Sequence, residues 1–232
     1  METAIVELEK KVSICIDLGL KGYREVEQLQ EDIVKGVIGG ILPEHIIFVE
    51  HPSVITLGKS TKEDEVFIEE PKNIRERGIE IYKTKRGGSI TLHEPGQLVV
   101  YPIIRIENRD VYRYVRNLEE VIIKLLDTYD IRAIRRENYT GVWIDEKRKI
   151  CSIGIAVKKW VTYHGLALNV NNKLEDFKLF RPCGLEDVEM VSIEKILGFK
   201  VDMDELKKRF IHIFSMIFER SLVNKNGKAC LA

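Results

Sequence analysis

The sequence predicts an α/β protein of the α+β type, with a mixed, largely antiparallel sheet flanked by helices. Segments with helical periodicity lie near both ends and in the middle of the chain. Short runs rich in Ile and Val, separated by Gly, Pro and Asn, occupy much of residues 46–170. Many of these runs follow one another with no helix between them. Because parallel neighbours need a long crossover, usually a helix, this order favours antiparallel pairing over a doubly wound sheet.

Three segments are predicted to be helices. Asp110 and Asp202 are candidate N-caps, and each precedes apolar residues that recur at three- and four-residue steps, over about 111–125 and 203–218. The aromatic residues of the second segment form a stripe that we expect in the core. A third helix is predicted from Tyr23 to Ile38, where a pair of glycines follows and ends it.

The runs between these helices predict eight strands within a single domain that spans residues 1–232. The sequence contains no repeat and no low-complexity linker, and the tail from 224 to 232 is expected to be loose. The predicted strands cover residues 46–49, 54–57, 79–82, 89–92, 98–104, 141–144, 151–157 and 164–170.

Composition limits the function. The chain carries 37 basic and 37 acidic residues, so no overall charge attracts nucleic acid or an anionic membrane. Its four cysteines are scattered without a CxxC pair, which gives no indication of a zinc site or a disulfide framework. The sequence contains no secretion signal and no apolar run of membrane-spanning length. A location in the reducing cytoplasm is therefore expected.

Cys183 lies in the run Phe180-Arg-Pro-Cys-Gly-Leu-Glu. A thiol between proline and glycine is on a rigid turn where the backbone can approach a bound acyl group, which is a suitable position for a nucleophile. The alternative is a buried structural cysteine, the more common situation for a single Cys. This residue alone does not decide between them.

The segment Arg86-Gly-Gly-Ser-Ile-Thr-Leu-His has the composition of a pocket wall. Paired glycines let a ligand lie against the backbone, and the guanidinium can reach an oxygen. No GK[ST] follows, so a phosphate-binding P-loop is not supported. The alternative is an ordinary Gly-Gly turn in a hairpin, and His93 is equally open between a structural role and that of a base.

Lys149 opens the apolar run Ile-Cys-Ser-Ile-Gly. A lysine in this position can point inward, where burial favours the neutral amine and so allows proton exchange. It can equally be a solvated member of the basic turn 147–149. The later run His164-Gly-Leu-Ala places small residues in a strand, which again suits close approach of a ligand.

Together these segments resemble the lipoyl(octanoyl) transferases, which move an octanoyl chain from acyl carrier protein to a lysine of lipoyl domains. The resemblance extends from Glu50-His-Pro-Ser-Val-Ile-Thr-Leu-Gly to Pro182-Cys-Gly and rests on several ordered motifs. It implies the fold of the biotin and lipoate protein ligases. The chain departs from the family pattern at Ser89, Leu92 and Glu94, where Gln, an aromatic residue and Gly are usual.

The resemblance implies Cys183 as the nucleophile that carries a thioester and Lys149 as the group that moves protons. It implies no metal and no cofactor, and ATP is not needed because the thioester is already activated. The residues that would bind the acyl substrate are Arg86, Gly87, Gly88, Ser89, Ile90, Thr91, Leu92, His93, Ser152, Ile153, Gly154, Gly165, Leu166 and Ala167.

The implied partners are octanoyl-acyl carrier protein as donor, and the lipoyl domains of 2-oxoacid dehydrogenases and the glycine cleavage H protein as acceptors. Basic clusters at 83–86, 132–136 and 158–159 could attract such acidic proteins, or could be ordinary solvated turns. Two other functions remain open. An ATP-dependent lipoate or biotin ligase has the same fold, and a non-catalytic protein could bind lipoyl domains.

Overall fold

The computed structural model describes residues 11–182 and 187–230. The strands are β1 (Lys11–Leu20), β2 (Glu44–Glu50), β3 (Val54–Leu57), β4 (Glu80–Lys83), β5 (Ile90–His93), β6 (Gln97–Ile103), β7 (Ile134–Arg136), β8 (Tyr139–Trp143), β9 (Arg148–Lys158), β10 (Val161–Asn169), β11 (Glu189–Met190) and β12 (Arg220–Asn224). The helices are α1 (Tyr23–Ile38), α2 (Glu63–Val66), α3 (Pro71–Glu76), α4 (Val111–Asp127), α5 (Ile193–Leu197) and α6 (Met203–Phe218), with a short 3-10 helix at Glu175–Leu179. None of the helices in these ranges is both long and apolar enough to cross a membrane.

The main sheet has the strand order β12-β1-β2-β6-β10-β9-β8-β7, with β11 beside β9. Every pair from β2 through β6, β10, β9 and β8 to β7 is antiparallel, whereas β1 pairs in parallel with both β2 and β12. The predicted mixed, largely antiparallel sheet is confirmed. Within it, β7, β8, β9 and β10 follow one another in the chain with no helix between them, and β2 and β6 complete the antiparallel part.

Helices cover both faces of the main sheet. On one face α4 and α6 pack their apolar stripes into the larger core, where Leu118, Phe210 and Phe214 are fully buried. On the other face α1 contributes Val26 and Val34 to a second core. The sheet is therefore a middle layer, and each helical stripe that the sequence predicts is buried against it.

The predicted helix starts are confirmed by their caps. The Asp110 carboxylate accepts a hydrogen bond from the amide of Arg113, and the Asp202 carboxylate accepts from the amides of Asp204 and Glu205. Each satisfies backbone N–H groups that a helix leaves without intrahelical partners. The third helix spans Tyr23–Ile38, as predicted.

A smaller sheet has the order β4-β3-β5 and its own apolar core, to which Leu92, Phe177 and Phe180 belong. A hydrogen bond from the Gly87 amide to the Ile155 carbonyl, 2.8 Å long, joins the loop that precedes β5 to β9. The small sheet thereby stands over one face of the main sheet at β9.

The described part of the C-terminal tail makes hydrogen bonds to β12. Within residues 224–230 the chain turns back on β12: the Asn224 amide donates to the Lys228 carbonyl, and the Cys230 amide donates to the Leu222 carbonyl. The Asn224 side chain also accepts from the amides of Asn226 and Lys228, so local side-chain bonds stabilise the turn. Residues 231–232 lie outside the described ranges.

Candidate active site

A cavity of about 510 Å³ lies between the small sheet and the centre of the main sheet. One wall is the loop that enters β5 together with β5 itself, and the other is formed by β9 and β10. Lys149 and, from α1, Tyr23 are also part of the lining. Of the predicted substrate-binding residues, those that line the cavity are Arg86, Gly88, Ser89, Ile90, Thr91, His93, Ser152, Ile153, Gly154, Gly165, Leu166 and Ala167.

The two remaining predicted residues stand behind this lining. The Gly87 amide donates to the Ile155 carbonyl and so attaches the loop to β9. The Leu92 side chain is fully buried in the core of the small sheet. Both support the wall rather than form its surface.

Cys183 lies outside the described residues, so its position is not part of this site geometry. The chain just before it is described as far as Pro182. There the Arg181 amide donates to the carbonyl of Val66 over 2.7 Å, and Val66 lines the cavity. The segment that leads to Cys183 is thus attached beside the cavity.

Lys149 is buried, with only 3% of its surface exposed, and its stem lies against the cavity. Its Nζ donates to the Thr140 carbonyl over 3.0 Å and lies 5.0 Å from the centre of the Trp143 ring. Of the two alternatives, the side chain takes the inward one, whereas Lys147 and Arg148 occupy the exposed turn.

An extra residue in β9 explains this direction. Val142 of β8 stands opposite Cys151, but the next residue, Trp143, stands opposite Lys149, so Ile150 is additional. Such a bulge interrupts the alternation of side chains. Ile150 and Cys151 both pack into the helical core, and Lys149 shares the cavity face with Ser152. With regular alternation, Lys149 would share the face of Cys151, inside that core.

Arg86 is a buried cation at the cavity wall. Its guanidinium donates to the Thr56 carbonyl over 2.6 Å and to the Gly87 carbonyl over 3.1 Å. Two glycines outside the loop make room for it. A Cβ on Gly58 would lie 2.2 Å from the Gly88 oxygen, and one on Gly154 would lie 2.8 Å from the Gly87 oxygen. The loop backbone can approach this closely because residues 58 and 154 are glycines. These two glycines act in addition to the predicted pair, Gly87 and Gly88.

Imidazole and phenol rings cluster at one end of the cavity, here called the inner end: Tyr23, His93 and Tyr101 line it, and the His51 ring packs against all three. The His51 Nδ1 lies 2.6 Å from the Lys21 carbonyl, which can only accept, so this nitrogen carries the proton and Nε2 accepts from the Tyr101 hydroxyl at 3.0 Å. The His93 Nδ1 donates to the Gln97 side-chain oxygen over 2.8 Å. Burial lowers the pKa of His51 to about 4 and that of His93 to about 3, so both rings are neutral at pH 7.

His164 also lines this end of the cavity. The sequence did not predict a functional role for its side chain. Its backbone has a φ of +55°, in the left-handed region, and its amide donates to the Gln30 side-chain oxygen over 2.7 Å. The ring is 2% exposed, and within the described part of the chain neither nitrogen has a hydrogen-bond partner. Burial lowers its pKa to about 3. Left-handed backbone in a non-glycine residue costs energy and often marks a functional position.

Comparison with known proteins identifies the family to which this chain is similar. The family model described as the lipoyl protein ligase A/B catalytic domain matches residues 22–215. The octanoyltransferase of Thermoanaerobacter sp. (strain X514) is 41% identical over 209 residues, which are 88% of this chain and 89% of that protein. The octanoyltransferase of Nitratidesulfovibrio vulgaris (strain DP4) is 43% identical over 221 residues, which are 94% and 100%.

Solved structures support the fold. A bi-partite lipoate protein ligase from Thermoplasma acidophilum superposes with a TM-score of 0.72 at 15% identity, covering 93% of this chain and 87% of that one. Biotin protein ligase from Aquifex aeolicus in complex with biotin and ATP gives a TM-score of 0.54 at 14% identity, covering 90% and 71%. Since the family model and these relatives match most of the chain, it belongs to the octanoyltransferases of the lipoyl protein ligase A/B catalytic domain family.

Proposed function

We propose that this acyltransferase moves an octanoyl or lipoyl group from acyl carrier protein to a lysine of a lipoyl domain, through a thioester on Cys183. The observation that carries the proposal is a buried lysine, Lys149, on the wall of a cavity whose volume falls within the range of small-ligand pockets. The names of the curated relatives support the octanoyl transfer.

In the first step Lys149 accepts the proton of the Cys183 thiol. The sulfur attacks the carbonyl carbon of the carrier-bound thioester and forms a new carbon–sulfur bond. The bond to the carrier's thiol then breaks, and Lys149 returns the proton to that departing sulfur. Charge and atoms balance without a metal or a nucleotide, because one thioester replaces another.

In the second step the amine of the lipoyl-domain lysine attacks the Cys183 thioester. Lys149 takes a proton from the attacking nitrogen and delivers it to the Cys183 sulfur as the carbon–sulfur bond breaks, leaving a stable amide. Both steps use one proton carrier. A base beside the cavity is needed in each, since a protonated amine and a neutral thiol are poor nucleophiles.

The developing oxyanion of each step needs a donor. Gly87 and Gly88, together with backbone amides at Cys183 and Gly184, are the candidates. The Gly87 amide already donates to Ile155, so we assign the loop's contribution to the Gly88 amide, whose residue lines the cavity. One such donor typically contributes about 3 to 4 kcal/mol to transition-state stabilisation.

The proposed donor is octanoyl-acyl carrier protein. The proposed acceptors are lipoyl domains of 2-oxoacid dehydrogenases and the glycine cleavage H protein. The proposed location is the cytoplasm, which suits an enzyme that depends on a free thiol.

Intact-protein mass spectrometry after mixing with octanoyl-acyl carrier protein, without ATP, tests this function. We expect one octanoyl adduct, mapped to Cys183 and lost when a lipoyl domain is added. The Cys183→Ala variant should form none, whereas Cys15→Ala and Cys230→Ala, which change free thiols elsewhere, should behave as wild type. Transfer that requires ATP and free octanoate would instead indicate a ligase, and binding without an adduct would indicate a non-catalytic protein.

A further inference from the structure

A buried carboxylate on α4 lies behind the cavity. Glu119 is fully buried, and its Oε2 accepts from the Arg116 guanidinium over 2.6 Å, with the Arg135 Nε 3.4 Å away. Its other oxygen, Oε1, accepts from the amide of Gly141 on β8 over 3.0 Å. Burying a carboxylate is costly unless its oxygens are paired, and here both are used. One of those partners belongs to the strand beside Lys149.

A single peptide unit joins Glu119 to Lys149. The amide of Gly141 and the carbonyl of Thr140 belong to the same planar group, and in a trans peptide they point in opposite directions. The amide donates to Glu119, and the carbonyl accepts from the Lys149 Nζ over 3.0 Å. The Glu119 carboxylate and the Lys149 Nζ are therefore linked through one rigid plane, and each bond polarises the other.

The glycine of this peptide unit also shapes the path of the lysine stem. Gly141 has a φ of +126°, which L side chains rarely adopt. A Cβ there would lie 2.6 Å from the Lys149 Cε and 2.5 Å from the Cys151 carbonyl oxygen. The space that a side chain would fill is occupied by Lys149, so the peptide plane contacts the lysine at its stem and at its tip.

We propose that Glu119 is a positioning residue for Lys149 and acts through the Thr140–Gly141 peptide. Anchored on α4 in the core, Glu119 fixes the orientation of that peptide. The Thr140 carbonyl and the bare Cα of Gly141 then fix the lysine. The inference rests on the proposed role of Lys149 as proton carrier and adds the group that holds it in place.

Two substitutions separate the hydrogen bond from the charge. The side-chain oxygen of Glu119→Gln can still accept from the Gly141 amide, so most of the acylation rate should remain. Glu119→Leu removes the acceptor and leaves that buried amide unpaired. The peptide can then rotate, and a misplaced proton carrier should slow acylation of Cys183 about 10- to 100-fold.

The neighbouring residue supplies a matched control. Glu120 is on the same helix turn and also pairs with Arg135, over 2.5 Å, but its side chain is partly exposed. Glu120→Gln and Glu120→Leu change the same charge without touching the Gly141 amide. Both should acylate at the wild-type rate.

Single-turnover acylation by octanoyl-acyl carrier protein gives the readout, as a rate constant and a final adduct stoichiometry. A merely structural role would lower the stoichiometry with the folded fraction. A positioning role lowers the rate constant at unchanged stoichiometry, and kcat at unchanged KM. In a Lys149→Ala background Glu119→Leu should cause no further loss, because its effect passes through the lysine.

The outcomes distinguish this inference from the proposed function. If wild type forms no Cys183 adduct, or Lys149→Ala acylates normally, the proposed function fails. If those results stand but Glu119→Leu keeps the wild-type rate constant, or its loss adds fully to that of Lys149→Ala, the positioning role is overturned. Should Glu119→Leu not fold, the milder Glu119→Gln still tests the inference, because it keeps an acceptor for the Gly141 amide: a loss of tenfold or more in the rate constant at unchanged stoichiometry would overturn it.

Discussion

The two ends of the cavity handle polar groups in opposite ways. At its outer end Lys149 is held through a peptide plane to Glu119, which is ion-paired with Arg116. At the inner end His51, His93 and His164 are kept neutral by burial. Along β9 the partner of His164 is Ile155, six residues beyond Lys149, so these two residues are separated by about 20 Å of strand.

Each end also departs from regular strand geometry in its own way. Lys149 reaches the cavity face because Ile150 is an extra residue in β9. His164 lines the cavity with a left-handed φ in β10. An inserted residue changes the face of a side chain without strain at one residue, whereas a positive φ in a histidine costs about 1 to 3 kcal/mol. The two departures show that this site depends on local exceptions to an otherwise regular sheet.

The largest effect is expected at the charged end. Lys149→Ala should lose both half-reactions by orders of magnitude, and Lys149→Arg should not recover them, because a guanidinium does not give up its proton. Lys147→Ala, which changes an exposed lysine of the same turn, is the control and should retain activity. Single-turnover acylation and transfer to a lipoyl domain measure the two steps. Near-normal acylation by Lys149→Arg would mean that the lysine only positions the substrate.

A second effect is expected at the neutral end and concerns stability. In the unfolded chain a histidine titrates near pH 6.5, but folding lowers the pKa of His51 to about 4 and those of His93 and His164 to about 3. Between these values the unfolded state binds more protons, so stability falls as the pH falls. Each ring should remove up to about 1.4 kcal/mol per pH unit from the free energy of unfolding between about pH 6 and pH 4.

Urea titrations from pH 7.5 to pH 5 measure this slope. His51→Asn keeps a donor for the Lys21 carbonyl but cannot be protonated, so its slope should be shallower than that of wild type. His212→Gln replaces an exposed histidine of α6 and should leave the slope unchanged. Equal slopes for wild type and His51→Asn would contradict the assignment of a neutral, buried ring.

How far the sequence predicts these features depends on how local their causes are. The helices at 23–38, 111–127 and 203–218 follow from caps and apolar stripes within each segment, and they were predicted closely. Strands β1 and β12 were not predicted. Many of their residues are only partly buried, and they pair with each other across most of the chain.

The site was predicted in part for the same reason. The glycine-rich loop and the small residues of β9 and β10 could be recognised within short segments. The inward direction of Lys149 could not, because the bulge is defined by its register with β8. The role proposed for Glu119 could not be predicted either, because this residue lies within a predicted helix. That role depends on contacts with Arg135 and Gly141, which are 16 and 22 residues further along the chain.

A smaller effect is expected from the network behind the neutral end. Glu94, one of the departures from the family pattern, is buried, and its Oε1 accepts from the Asn172 amide group over 2.8 Å and from the Leu174 backbone amide over 3.0 Å. Glu94→Ala leaves both donors unpaired and should lower the free energy of unfolding by about 2 kcal/mol. Glu94→Gln keeps an acceptor and should lose less.

Urea denaturation at pH 7 measures this difference. Glu175→Ala changes an exposed carboxylate of the adjacent 3-10 helix and should be close to neutral. If Glu94→Ala were as stable as wild type, the carboxylate would not hold the turn at 172–174. Glu94, which occupies a position where the family usually has glycine, would then have no structural role.

The smallest effect is expected from the basic clusters predicted to attract an acidic carrier protein. In the structure Lys83 pairs with Glu63 over 2.6 Å and Lys85 pairs with Glu31 over 2.7 Å. Arg86 is buried in its contacts with Thr56. These pairings cancel much of the positive field that the sequence suggests. Electrostatic steering of the acidic carrier protein toward the cavity should therefore be weak.

Ionic strength should therefore change kcat/KM for octanoyl-acyl carrier protein only a few-fold, as the Debye length shortens from about 10 Å at 0.1 M salt to roughly 3 Å at 1 M. Lys62 lies at the exposed rim of the cavity, whereas Lys159 lies at the tip of the β9–β10 hairpin and does not line it. Lys62→Glu should lower kcat/KM for the carrier-bound substrate more than Lys159→Glu does, and a small octanoyl thioester should respond to neither. Equal effects of the two variants would mean that the carrier protein does not dock at the charged end. A loss of more than tenfold with salt would instead restore the stronger steering that the sequence alone predicts.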